Sequence, residues 1–474
     1  MKFAMSVFTV LVVLVSAMLI VQYRVYSDQS IANEDEFQYS QEIEIVYREK
    51  SLDIRHHFKN LSNESISIQW PDQAVEADCF LETEYSCARL SEDKKAFASG
   101  ENRAQSISYI IPLKDGLTSK QLLKDIFVTL ENGNVKFSTV HISTENTIAG
   151  QWVTGLPVIG QQSLALVNYT MFSGTGQVSD LYWQAGDFAL QKNSEVVSIY
   201  SNYATSPDFN KALDGLNLIS DEHIAIVHGT NLAGVQGNRI LFLQDLTIDS
   251  MQKAIVMSHV KSMYRFGDSP AWLKEVVAMN LTGDTFGSDR AIKIVETLTN
   301  QMSEQQLADW TDRLKKLQGE KISPAILDNT LSEVFGNYTK YLSLNETSEQ
   351  VYPFVFNDKR EIALNRDKLK NVHIIYTDNK IFYSADALFK ELGYTTSEGP
   401  NGYYVTSEAR KFRFPDKEHG FYVYNQQRFN TVSQPIVKIA GKYYIEESWL
   451  QRLFLVEMNK TEDSVNITSL ATQE

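Results

Sequence analysis

The chain has 474 residues, with 44 Lys and Arg against 59 Asp and Glu, and a formal net charge of −15. That balance argues against a nucleic-acid partner, because release of counterions from phosphates needs a basic face. The cluster Arg313, Lys315, Lys316 is short enough to be a solvated helix face. Hydrophobic residues at 43% and charged residues at 22% are ordinary for globular domains, and the length implies several of them.

Residues 3–22 carry no charge and only four polar side chains, Ser6, Thr9, Ser16 and Gln22. As a helix they extend about 30 Å, the thickness of a bilayer core. They predict a signal anchor over residues 1–24, with single-pass attachment to the cell membrane and the bulk of the chain extracytoplasmic. A secretory signal is the rival, but no A-x-A site follows. The polar, acidic residues 25–40 suit a juxtamembrane linker.

Residues 41–189 alternate in short apolar runs such as EIEIVY, ISIQW and SISYIIPL, separated by turn-like NLSNES and ENGN. Period-two patterning predicts a β-rich, sandwich-like domain. Seven residues separate the two cysteines, Cys79 and Cys87. In an exported chain they predict a disulfide across a short hairpin. A metal site there has no third cysteine, and its nearest histidines are His56 and His57.

In residues 190–350, the runs HIAIVHG (223–229) and RILFL (239–243) read as buried strands, followed by helices. Asp249 and Ser250 can cap a helix from about Ser250 to Arg265, which Gly267 can end. Ser269-Pro270 can open the next helix, and Gly283 can end it. Trp272, Leu273, Val276, Val277 and Leu281 give that helix one apolar face. Within the pair, His259, Val260, Met263, Phe266 and Gly267 are followed by Trp272, Leu273, Glu275, Val277 and Ala278. This arrangement resembles the active-site helices of gluzincin-type zinc peptidases of the aminopeptidase N kind (peptidase MA-like). There H-E-x-x-H is followed by W-L-x-E-G-x-A on the next helix.

The resemblance implies a degenerate site. His259 and Glu275 stand where two metal ligands would be. Val260 replaces the general base and Met263 the second histidine. Valine cannot take a proton from a metal-bound water. A thioether is a poor zinc donor among nitrogen and oxygen ligands. Two remnant ligands are too few for a catalytic zinc site, so no zinc and no other cofactor is expected. Glu275 lies only 16 positions after His259, closer than in the active enzymes. A lone histidine on an apolar helix face is also commonly a core residue, and that reading stands beside the first.

Residues 365–474 contain an internal repeat. KIFYSADALFKELGYTTSEGPNGYYVTS (380–407) aligns without a gap to KYYIEESWLQRLFLVEMNKTEDSVNITS (442–469) at an offset of 62. Each copy reads as strand, amphipathic helix, turn, strand. One such unit cannot bury its helix alone, so paired copies make physical sense. The pattern resembles the stalk domain named after the N-terminal domain of copper amine oxidases, found on surface proteins of Gram-positive bacteria. It does not imply copper, since His373 and His419 alone make no copper site.

The predicted class is multidomain α+β. An N-terminal transmembrane helix is followed by a β-sandwich-like domain, a mostly helical peptidase-like domain and a small α+β repeat domain. The function expected is that of a pseudopeptidase, a non-catalytic surface protein binding a peptide, an envelope protein or a wall polymer. One alternative is a zinc metallopeptidase whose ligand set draws in His223 or His228, with Glu222 as base. A second is a structural spacer of an envelope or spore layer.

Overall fold

The computed structural model describes residues 37–470 apart from 82–85, 146–148, 187, 230–231, 233 and 416–419. The chain divides into two compact units, Met1–Ser258 and His259–Glu474.

In the first unit, the strand Phe37–Arg48 buries Tyr39, Ile43, Ile45 and Tyr47 and leaves Glu42 and Glu44 half-exposed. Side chains alternate across a strand, so this pattern fixes one face to the core. The strand sits at the centre of a seven-stranded sheet ordered Val158–Ser163, Val167–Thr175, Gly133–Glu145, Phe37–Arg48, Ser51–Lys59, Gln105–Pro112, Val75–Cys79. It pairs antiparallel with Ser51–Lys59 and parallel with Gly133–Glu145, making the sheet mixed. A three-stranded sheet of Gly150–Val153, Leu181–Ala185 and Lys120–Leu123 contributes to the same core. Cys79 and Cys87 are joined by a disulfide with Cα atoms 5.8 Å apart.

The first unit also contains a four-stranded sheet ordered Ala189–Asn193, Val197–Ser201, Ile224–His228, Ile240–Leu243. Its last three strands run parallel. Parallel neighbours need a crossover, and helix α1 (Pro207–Leu213) lies in the first of these. Helix α2 (Ile248–Met263) follows the last strand, and its Met251 and Ile255 pack with Val197, Ile199, Ile226 and Leu241. The boundary between the two units falls within α2.

Two expectations are corrected here. Among the described residues strands occupy 40% against 22% helix, so the expectation of a mostly helical peptidase-like domain is not supported. The β-branched runs VSIY, IAIVH and ILFL form a sheet within residues 190–350, ahead of the helices. The transmembrane helix and signal anchor expected over residues 3–22 and 1–24 lie outside the described residues. Among the described residues no helix is long and apolar enough to cross a membrane. That finding stands against the expected single-pass membrane attachment and the extracytoplasmic placement that rested on it.

The second unit opens with helices α3 (Ala271–Thr282), α4 (Asp289–Gln301), α5 (Glu304–Lys316), α6 (Pro324–Phe335) and the short α7 (Tyr341–Leu344). Ser288, Ser303 and Ser323 cap α4, α5 and α6 by accepting from backbone N–H groups of the first turn. Asp328 of α6 is buried and accepts from the N–H groups of Leu342 (2.7 Å) and Ser343 (2.9 Å), which holds α7.

The repeat follows. Strand Lys380–Ser384, helix α8 (Ala385–Glu391) and strands Thr395–Gly399 and Gly402–Thr406 form the first copy. Strand Lys442–Glu446, helix α9 (Glu447–Phe454) and strands Val456–Lys460 and Ser464–Ser469 form the second. Each copy has a strand directly after its helix, before the turn and the final strand. The apolar faces of both helices, with Leu388, Phe389, Leu450 and Phe454, share one core.

Candidate functional site

Helix α2 begins with Thr247 rather than Ser250 at its cap. The Thr247 hydroxyl accepts from the Ser250 N–H at 3.2 Å, and the Met251 N–H donates to the Thr247 carbonyl at 3.0 Å. His259 and Val260 are fully buried on it, and Met263 is half-buried near its end. The stretch leading to α3 is tied to the segment after α5. The Gly319 N–H donates to the Met263 carbonyl at 2.8 Å, the Arg265 N–H to Glu320 at 3.0 Å, and the Ile322 N–H to Arg265 at 2.8 Å. The Tyr264 hydroxyl donates to the Leu314 carbonyl at 2.9 Å, and burial pushes its pKa up to about 12. The Ser269 hydroxyl donates to the Ile322 carbonyl at 2.8 Å.

Pro270 is the N-cap of α3. Gly283 ends α3 in the left-handed conformation, φ 76°. Trp272, Leu273, Val276 and Val277 are buried, whereas Leu281 is only half-buried.

The carboxylate of Glu275 is directed at the start of α4. Its Oε2 accepts from the Ser288 N–H at 2.9 Å and from the Ser288 hydroxyl at 2.5 Å. Gly287 has φ 112°, and a Cβ there would lie 3.0 Å from the Glu275 carboxyl carbon. The glycine thus permits both the turn and the close approach to Glu275. A negative charge beside a helix N-terminus is favourable, so Glu275 anchors α4 as an accessory to its cap.

The other candidate residues are engaged elsewhere. His223 is buried, and its Nδ1 lies 3.0 Å from the Glu195 carbonyl oxygen. Burial, aided by the Arg239 charge, pushes its pKa down to about 4. His228 Nδ1 lies 2.9 Å from the Ser201 hydroxyl. Among the described residues no three His, Cys, Asp or Glu side chains gather where they could hold a metal. A catalytic zinc site needs three protein ligands and an open position. A valine, a thioether, a fully buried histidine and a carboxylate committed to a helix cap do not fit that ion.

Sequence reasoning missed two buried arginines that organise the first unit. Arg239 donates to the carbonyls of His223 (2.9 Å) and Thr175 (2.9 Å). Arg89 donates to the carbonyls of Ala98 (2.6 Å), Asn102 (3.1 Å) and Glu64 (2.5 Å). All of these acceptors are backbone atoms, so no residue type in the sequence marks them.

No protein-family description matches the sequence, and no curated protein is similar to it. By structure the chain is similar to an M1 zinc metallopeptidase from Deinococcus radiodurans, at 10% identity over 68% of this chain and 96% of that one, with a TM-score of 0.42. It is also similar to Legionella pneumophila aminopeptidase A solved in complex with aspartic acid, at 12% identity over 85% of this chain and 58% of that one, with a TM-score of 0.43.

Proposed function

We propose that this chain is a non-catalytic, peptidase-like binding protein whose partner is a peptide, an envelope protein or a wall polymer. The observation that carries this reading is the bond between Glu275 and Ser288. The carboxylate of the degenerate motif serves the α4 N-terminus instead of facing an ion. Val260, which stands in the place of the general base, has no group that can accept a proton. The 380–407 and 442–469 copies, which resemble a surface-protein stalk, fit a chain that presents a binding module. An alternative zinc site built from His223 or His228 gains no support, since among the described residues neither gathers with two further His, Cys, Asp or Glu side chains that could hold a metal.

The test is metal content and peptide hydrolysis on the full chain, purified without chelator or histidine tag and incubated with zinc. We expect substoichiometric zinc that dialysis removes, and no hydrolysis of fluorogenic peptides. One tightly held zinc per chain, lost on His259→Ala together with hydrolysis, overturns the reading.

A further inference from the structure

Helix α4 carries more apolar surface than its core needs. Ala291, Ile294 and Leu298, spaced i, i+3, i+7, are buried against the neighbouring helices. A second stripe, Ile292, Val295 and Thr299, has the same spacing but borders an open groove of about 630 Å³ beside the end of α3 and the start of α5. Leu281 and Leu307 complete the apolar floor. All four aliphatic side chains (Leu281, Ile292, Val295 and Leu307) are half-buried, neither sunk in the core nor fully solvated. A groove of this size, with an apolar floor and a few polar groups, has the character of a ligand site.

The rim sets the charge of the occupant. Asp284 and Glu296 line the groove, and no Lys, Arg or His is among its lining residues. The carbonyl ends of α3 and α4 lie there too, at Gly283 and Asn300, and helix C-termini favour cations. The stripe from Ile292 to Thr299 runs about 10 Å along α4, two helical turns. That length suits side chains presented at i, i+3 and i+7 by a helix laid in a groove.

We infer that the groove between α3, α4 and α5 binds an amphipathic peptide helix with basic residues flanking its apolar face. The inference rests on the binding-protein reading and assigns that binding to a particular place. Aliphatic side chains of the peptide cover Leu281, Ile292, Val295 and Leu307. Its lysines or arginines pair with Glu296 and Asp284.

The experiment titrates the full chain into a fluorescein-labelled peptide of leucine and lysine in helical spacing, with a leucine and glutamate peptide as control. A net charge of −15 attracts any basic peptide at long range, so variants decide the assignment. Glu296→Lys reverses an exposed rim charge without touching the core. Thr299→Trp fills the groove at constant charge. The expected result is saturable binding of the basic peptide only, weakened about tenfold by each variant. Equal binding of both peptides, or affinity unchanged in Glu296→Lys and Thr299→Trp, overturns the inference. Metal content and hydrolysis are read separately. A zinc-loaded, hydrolytic chain that still binds in this variant-sensitive way retires the pseudopeptidase reading and keeps the groove.

Discussion

Tyr383 and Ile445 face each other across an antiparallel strand pair, and each holds the same position in its own repeat copy. Phe382 pairs with Glu446 and Ser384 with Tyr444, so the two first strands are related by a local two-fold axis at the Tyr383–Ile445 pair. The offset of 62 seen in the sequence thus has a spatial counterpart: the copies join through equivalent strands and pool their helices in one core.

The axis is also a point of asymmetry. The buried Tyr383 hydroxyl donates to Glu447 at 2.8 Å, whereas its counterpart Ile445 has no polar group. Glu447 has a second partner in Lys460, at 2.5 Å. Tyr383→Phe therefore leaves no carboxylate stranded and is expected to cost only about 1 kcal/mol. Urea unfolding followed by circular dichroism measures it.

Glu275→Ala and Ser288→Ala should each destabilise the chain by roughly 0.5–2 kcal/mol, the usual range for loss of a helix cap. Ser288→Ala should cost more than Glu275→Ala, because it also removes the acceptor that caps α4, and the double variant should lose less than the sum of the two because they share the Glu275–Ser288 hydroxyl bond. Melting temperatures taken with and without added zinc check this. A penalty seen only with zinc present would assign Glu275 to a metal instead.

Asp328 has its pKa raised to about 6 by burial, against the lowering effect of the bonds from Leu342 and Ser343. The folded chain then holds this proton more tightly than the unfolded chain does. Its favourable contribution is complete below about pH 4 and is lost as pH rises through about 6. Asp328→Asn should flatten stability across that window. It should also cost about 1–3 kcal/mol, because an amide nitrogen would face a backbone N–H. Denaturant midpoints from pH 4 to pH 7 test both effects.

His56 and His223 act in the opposite direction. Burial lowers His56 to about 3, with the neighbouring His57 adding to the effect, and lowers His223 to about 4. Both are neutral when folded, while the unfolded chain takes up protons near pH 6.5. The stability they contribute is present above about pH 6.5 and falls as pH drops towards 4. His56→Gln should reduce that acid sensitivity, as read from midpoints of the first unit's unfolding.

Local patterns were legible where the partner of a residue lay nearby in sequence. The alternation in EIEIVY sorts Ile43 and Ile45 from Glu42 and Glu44, Gly283 ends α3, and the repeat offset aligns the strands and helices. The cysteine pair closed as its spacing suggested. The motif helices gave the identity of His259 and Glu275 but not their surroundings. The acceptor role of Glu275 depends on Ser288, 13 residues later and one helix on. Arg89, Arg239 and Asp328 were invisible because they meet backbone groups, which every residue has. Leu281 looked like a core residue by periodicity, and only the shape of the groove shows it half-open.

The Glu275–Ser288 bond also bears on any attempt to engineer hydrolysis into this scaffold. Writing Val260→Glu and Met263→His would rebuild the lettering of a zinc motif, yet Val260 is fully buried and a carboxylate there meets no solvent. Glu275 would have to release Ser288 to reach an ion, and the start of α4 would lose that accessory anchor as it did so. A zinc site at these positions would thus require redesigning a helix junction as well as replacing two residues, so the motif side chains and the helix anchor are locked to each other.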